Sequence, residues 1–169
     1  MDRHHRFGSS LTAEGPSRPP VWNVEFFEAA NGSTPIETWL KSLNQAEYAA
    51  FRAAVDYVLE PEGISLSGTH WMKPLGDGLW EFRIRHLAAD IKAKYASIGK
   101  NGPQPPEKIL LRVFVHFYGN KVILLLHGYD KGANNSPTQQ QKEILAARRR
   151  LTAWKAEQAK KAKAARRKK

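Results

Sequence analysis

Cysteine is absent from the 169 residues, which excludes disulfides and thiolate metal sites and permits a reducing compartment such as the cytoplasm. No apolar run approaches the roughly eighteen residues that a membrane helix needs, so no membrane partner is expected. Acidic residues are scarce, 16 against 27 lysines and arginines, for a formal net charge of +11. There is no phosphate-cradling glycine loop, no histidine pair at metal-binding helical spacing, and no Gly-x-Ser-x-Gly nucleophile elbow. The usual sequence grounds for P-loop, metallohydrolase and serine-hydrolase chemistry are therefore missing.

What is present suits one domain of ordinary size, with 41% apolar residues and five tryptophans to build a core. The positive charge is unevenly placed. Pro137 to Lys169 hold twelve basic and two acidic residues, so the preceding 136 residues are nearly neutral. A neutral body with a basic end suits the phosphate backbone of a nucleic acid. Residues 1–20, rich in Ser, Pro and Gly and without an apolar segment, read as a disordered leader and not a secretory signal.

Periodicity then orders the chain. "VWNVEFF" (21–27) alternates as a strand. "NGSTPIETWLKSL" starts a helix with a Ser or Thr cap and Pro35 in the first turn. A second helix follows in "QAEYAAFRAAVDYVLE", with Tyr48, Phe51, Val55, Val58 and Leu59 as its apolar stripe. Three further strands are expected at 79–86, 110–118 and 121–129, the last two joined by a tight turn at "YGNK". The 87–109 link is an insertion too long for a hairpin loop, and reads either as a ribbon extension of the strands or as a mobile loop. From Pro137 the pattern is helical again, with Ile144, Leu145, Leu151 and Trp154 on one stripe. Beyond Trp154 only alanines remain among the charges, leaving 155–169 as a basic tail. The expected fold class is α+β: an antiparallel sheet of about four strands, an N-terminal helical hairpin and a C-terminal helix.

Strand parity groups the polar side chains. Glu81, Arg83 and Arg85 share one face of their strand, and Arg112, Phe114, His116 and Tyr118 share one face of the next. His127, Tyr129 and Lys131 share one parity of the last. If these faces coincide, cations interleave with aromatics, as suits unpaired nucleic acid: cations meet phosphates and rings stack on bases. Plainer roles stand beside this one, since Glu81 pairs naturally with an arginine and a histidine in an apolar strand is often a core residue.

The run "MKPLGDGLWEFRIR", then "LLRVFVHFYGNKVILLLHGYDKG", then the Pro-started helix "SPTQQQKEILAARRRL" resembles the phage-derived branch of the RelE/HigB toxin family. The resemblance covers roughly residues 21–154, read as the toxin domain. It implies a toxin of a two-gene pair: a ribosome-dependent endoribonuclease that cleaves mRNA, without a metal or other cofactor, by attack of a ribose 2′-hydroxyl on the adjacent phosphate. The partners implied are a helix-turn-helix antitoxin, the ribosome and mRNA. The matching candidate catalytic residues are Lys73, Arg83, Arg85, Arg112 and Lys131, to which the residue pattern adds His127. Arginine is too basic to take a proton readily, so Arg83, Arg85 and Arg112 suit phosphate binding, while Lys73, Lys131 or His127 suit proton transfer. Tyr129, Arg148, Arg149, Lys160, Lys161, Arg166 and Arg167 are candidates for RNA binding. Two other functions fit the same pattern: a ParE-like gyrase inhibitor, and a non-catalytic RNA- or DNA-binding protein.

Overall fold

The computed structural model describes residues 21–95 and 109–168. The expected leader, and residues 96–108 of the insertion, lie outside these. The α+β class holds, but the sheet has five strands and is mixed. Strands β1 (Asn23–Phe26), β2 (Met72–Gly76), β3 (Leu79–Ile84), β4 (Leu111–Tyr118) and β5 (Val122–Asp130) lie in the order β1-β5-β4-β3-β2. The pairs β2–β3, β3–β4 and β4–β5 are antiparallel, whereas β1 runs parallel to β5, with Val24 opposite Ile123. Apolar alternation looks the same whichever way a strand runs, so it could not disclose that pairing. Strand β2 carries Pro74 and Gly76, which read as turn residues. At a sheet edge a proline costs no ladder bond, and a bulge between Pro74 and Gly76 absorbs the irregularity.

The first face of the sheet is covered by α1 (Pro35–Ser42) and α2 (Gln45–Ala54). Asn44 and Glu47 form a reciprocal capping box at the start of α2. Of the expected apolar stripe, Phe51, Val55, Val58 and Leu59 are buried, together with Ala50 and Ala54, while Tyr48 is exposed. The chain continues as a π-helical turn (Val55–Leu59) into α3 (Glu60–Glu62). Phe51, Val58 and Leu59 pack in one cluster with Phe82, Leu111, Val113, Val115 and Leu125. Part of the insertion forms helix α4 (Ala88–Tyr95), neither ribbon nor loop, with Ile91 buried in the same cluster. A single buried anchor amid polar residues leaves too faint a periodicity to announce that helix.

The opposite face carries α5 (Pro137–Arg167), capped by Ser136. Ala147 and Leu151 dock it onto Leu79, Phe114, Leu124 and Leu126. Leu145, expected in the buried stripe, is exposed. The tail continues α5, and after Trp154 nearly every described side chain is exposed. No helix among the described residues is long and apolar enough to cross a membrane.

One buried acid makes stability depend on pH. The Glu60 carbonyl accepts from the backbone N–H groups of Val21 and Trp22, which anchors the entry to β1. Burial, then the neighbouring Asp56, push the Glu60 carboxyl from 4.5 up to about 7, against the pull of Arg52. Its native pKa lies above its unfolded value, so this contribution is full below pH 4.5 and is lost as pH rises to about 7. The loss is about 3 kcal/mol at most. Glu60→Gln should therefore flatten the fall in thermal midpoint between these pH values, and should be more stable than the parent at pH 8. A parent midpoint that does not fall over this interval would contradict the assignment.

Candidate nucleic-acid interface

The expected polar face depends on a bulge. Val115 pairs with Leu125 but Phe114 pairs with His127, so Leu126 is an extra residue in β5. Without it His127 and Tyr129 would turn to the opposite face. With it, Leu126 and His127 both face α5, and His127, Tyr129 and Lys131 come into step with the arginines. Two rows result. Lys73, Glu81, Phe114 and His127 are successive partners across four strands, as are Arg83, Arg112 and Tyr129 across three. The Phe114 ring lies near-parallel to those of His127 and Tyr129, each at 6.0 Å.

Glu81 is the carboxylate at the centre of the cations, and it is only 1% exposed. Arg83 Nε donates to Glu81 Oε1 at 2.8 Å, and Arg112 Nε lies 3.7 Å from the same oxygen. Gln140 Nε2 from α5 donates to the other oxygen at 3.5 Å. Arg112, expected on an open face, is buried at 3% exposure. Burial holds its guanidinium below the usual range, with Arg85 and Arg83 adding to the effect and Glu81 opposing it. It remains charged, as arginine does in proteins. Arg112 Nε and the Tyr129 hydroxyl are buried without a hydrogen-bond partner among the described residues. Burial, then Glu81, push the Tyr129 hydroxyl up to about 12.

Lys131 stands just past β5, its backbone N–H donating to the Leu110 carbonyl at 2.8 Å. Burial, then Arg112, hold its ammonium below the ordinary lysine value, with Arg83 and Arg85 adding and Glu81 opposing. Arg85 is exposed at the end of β3, and Lys73 is exposed on edge strand β2. Arg83, Arg85, Arg112 and Lys131 thus share one electrostatic neighbourhood, with Lys73 on its border.

The remaining candidates divide. His127 is engaged at both ring nitrogens: Nε2 with the Glu143 carboxylate and Nδ1 with Arg150 at 2.6 Å. A guanidinium can only donate, so Nδ1 accepts, Nε2 carries the proton, and the imidazole is neutral. Arg150 also donates to the Leu126 carbonyl at 2.8 Å. Arg148 donates to the Leu75 and Gly76 carbonyls and ties α5 to the β2–β3 hairpin. His116 meets the Gly78 carbonyl at 2.7 Å. Arg149, Lys160, Lys161, Arg166 and Arg167 are exposed along α5. Glu143 and Arg150 were not among the sequence candidates, although their spacing of two helical turns puts them on one face.

No protein-family model matches this chain, and no curated protein is significantly similar to it.

The His127 contacts carry a measurable consequence. Burial holds the imidazole below 6.5, with Arg150 adding and the Glu143 hydrogen bond opposing. In ring-nitrogen NMR spectra, His127 should be the Nε2–H tautomer at neutral pH and should titrate below 6.5. An Nδ1–H tautomer, or a midpoint above 6.5, would contradict this hydrogen-bond assignment.

Proposed function

We propose that the protein is an endoribonuclease toxin that cuts mRNA on the ribosome, with the Arg83–Arg112–Lys131 face meeting the scissile phosphodiester. The observation that carries the reading is the pairing of Arg83 and Arg112 with one buried carboxylate, with Arg85 and Lys131 in the same electrostatic neighbourhood. The element order, a helical hairpin on one side of the sheet and a C-terminal helix on the other, supports a RelE/HigB-like architecture.

The chemistry follows from the charges. The ribose 2′-hydroxyl gives its proton to a base while its oxygen bonds to phosphorus, and the bond from phosphorus to the 5′-oxygen breaks. A 2′,3′-cyclic phosphate and a protonated 5′-hydroxyl result. Negative charge builds on the non-bridging oxygens in the transition state. Fixed guanidiniums of low exposure stabilise it better than water does, because they need not reorganise. Arg83 and Arg85 supply that charge at the accessible side, and Arg112 holds it from beneath. Lys131 is the proton carrier among these groups, because burial, and then its cationic neighbours, hold its ammonium below the ordinary lysine value. Glu81 accepts from Arg83, which fixes that guanidinium on the face.

The exposed cations of α5 extend the contact. Residues 155–167 reach about 20 Å along the helix axis past Trp154. Their phosphate contacts would raise affinity and steepen its salt dependence without choosing a sequence. A helix-turn-helix antitoxin is the partner proposed to hold the protein inactive.

The test is to add pure protein to translating ribosomes and map the mRNA ends. Cuts within the reading frame are expected. Arg83→Ala should cut about a hundredfold more slowly, as expected when one transition-state contact is lost. Lys131→Arg keeps the charge but cannot readily shuttle a proton, so it should bind the ribosome and cut poorly at every accessible pH. Removing residues 155–169 should weaken ribosome binding and flatten its salt dependence, with cut positions unchanged. Intact mRNA would refute the nuclease reading: a supercoiling defect would then indicate gyrase inhibition, and its absence a nucleic-acid binder.

A further inference from the structure

A cavity of about 720 Å³ opens at the outer edge of β5, between α1 and α5. Strand β1 protects that edge only as far as Leu125, whose carbonyl accepts from Phe27 N–H at 2.9 Å. Lys131 N–H bonds the Leu110 carbonyl, so by antiparallel alternation Tyr129 faces β4 while Gly128 turns its N–H and C=O outward. Above Gly128 lies the indole of Trp39. A Cβ at position 128 would stand 2.4 Å from a ring carbon, so only glycine admits the ring so close. Trp39 is partly exposed and lines the cavity with Thr38, Tyr129, Asn134 and Arg150.

These features select a ligand. A flat aromatic wall beside a strand edge that offers a donor and an acceptor from one residue complements a ring with its own donor and acceptor on one side. Among the described residues of the lining, the one cation, Arg150, is committed to His127 and the Leu126 carbonyl, so the cavity is poorly suited to a phosphate. Phosphate-binding groups stand next door. Tyr129 lines the cavity and is the register partner of Arg112, one strand spacing away, about 4.8 Å.

We propose that this cavity is the subsite for one nucleobase of a single-stranded RNA: the base stacks on Trp39 and pairs with the Gly128 edge, and its adjoining phosphate lies on Lys131, two residues beyond Tyr129. The inference deepens the RNA reading above and rests on it. It would make substrate choice depend on one base at a fixed distance from the scissile bond.

The experiment measures equilibrium binding of the full-length protein to labelled 2′-fluoro RNA trinucleotides, which cannot be cleaved by 2′-hydroxyl attack. An abasic residue is moved through the three positions. At one position the abasic oligonucleotide should bind roughly five- to a hundredfold more weakly, the range for losing one stacked base. Trp39→Leu should lose a similar factor on the intact trinucleotide and nothing more on that abasic one. Thr38→Tyr, from an exposed position of α1, fills the cavity without removing a core contact and should show the same loss at an unchanged thermal midpoint.

Equal binding of abasic and intact oligonucleotides at every position would overturn the subsite, as would parent-like binding by both variants. No measurable binding of the intact trinucleotide would overturn it too. The two readings fail separately. Base-dependent binding without cleavage on ribosomes would leave the subsite and refute the nuclease, whereas cleavage without base dependence would refute the subsite alone.

Discussion

A buried carboxylate between two guanidiniums is the interaction on which the rest of this face depends. Glu81 is inaccessible to water, and so is Arg112. Either charge alone in that position would carry a desolvation penalty of several kcal/mol, and breaking such a pair typically costs about 3–5 kcal/mol. Together they let the sheet carry a cationic row beneath α5 without unfolding it. The geometry is not fully satisfied: Arg112 Nε stands 3.7 Å from its partner oxygen, and Tyr129 keeps a buried, unpaired hydroxyl.

Helix α5 has two roles on this face. Through Ala147 and Leu151 it seals one half of the sheet as ordinary core, and through Gln140, Glu143 and Arg150 it sets the polar half. The pinning of His127 between Glu143 and Arg150 removes that ring from the groups free to exchange a proton. Proton transfer in the proposed reaction is left with the lysines. The same contacts help to shape the edge of β5, where the strand is left uncovered beside Trp39. Phosphate chemistry and base recognition would thus be organised by one helix docked across one bulged strand.

Much of this was legible in the residues themselves. Alternation in "LWEFRI" and "LRVFVHFY" put Arg83 and Arg112 each on the polar face of its own strand, and the pairing of β3 with β4 brings those faces together, with the two arginines directly opposite each other. The joint placement of His127, Tyr129 and Lys131 with them rested on a condition that parity could not supply. It holds only because Leu126 is bulged out of register, and a bulge among five consecutive apolar residues, Val122 to Leu126, leaves no mark in the pattern. The direction of β1 was hidden for a related reason, since periodicity has no arrow. Burial of Arg112 was hidden because it depends on tertiary packing, which strand parity does not report. The pairing of α5 residues with the sheet depends on how the helix is rotated, which its weakly patterned sequence does not specify.

The most direct test of this account is a double-mutant cycle between Glu81 and Arg112, read by equilibrium unfolding. Glu81→Gln should destabilise the protein by about 3–5 kcal/mol, because it leaves Arg112 buried and uncompensated, whereas Arg112→Met should cost less, because Glu81 keeps Arg83 at 2.8 Å. The double variant should recover much of that loss, since it removes both charges at once. If instead the two losses add, the carboxylate and the guanidinium do not depend on one another, and the organisation proposed for this face is wrong.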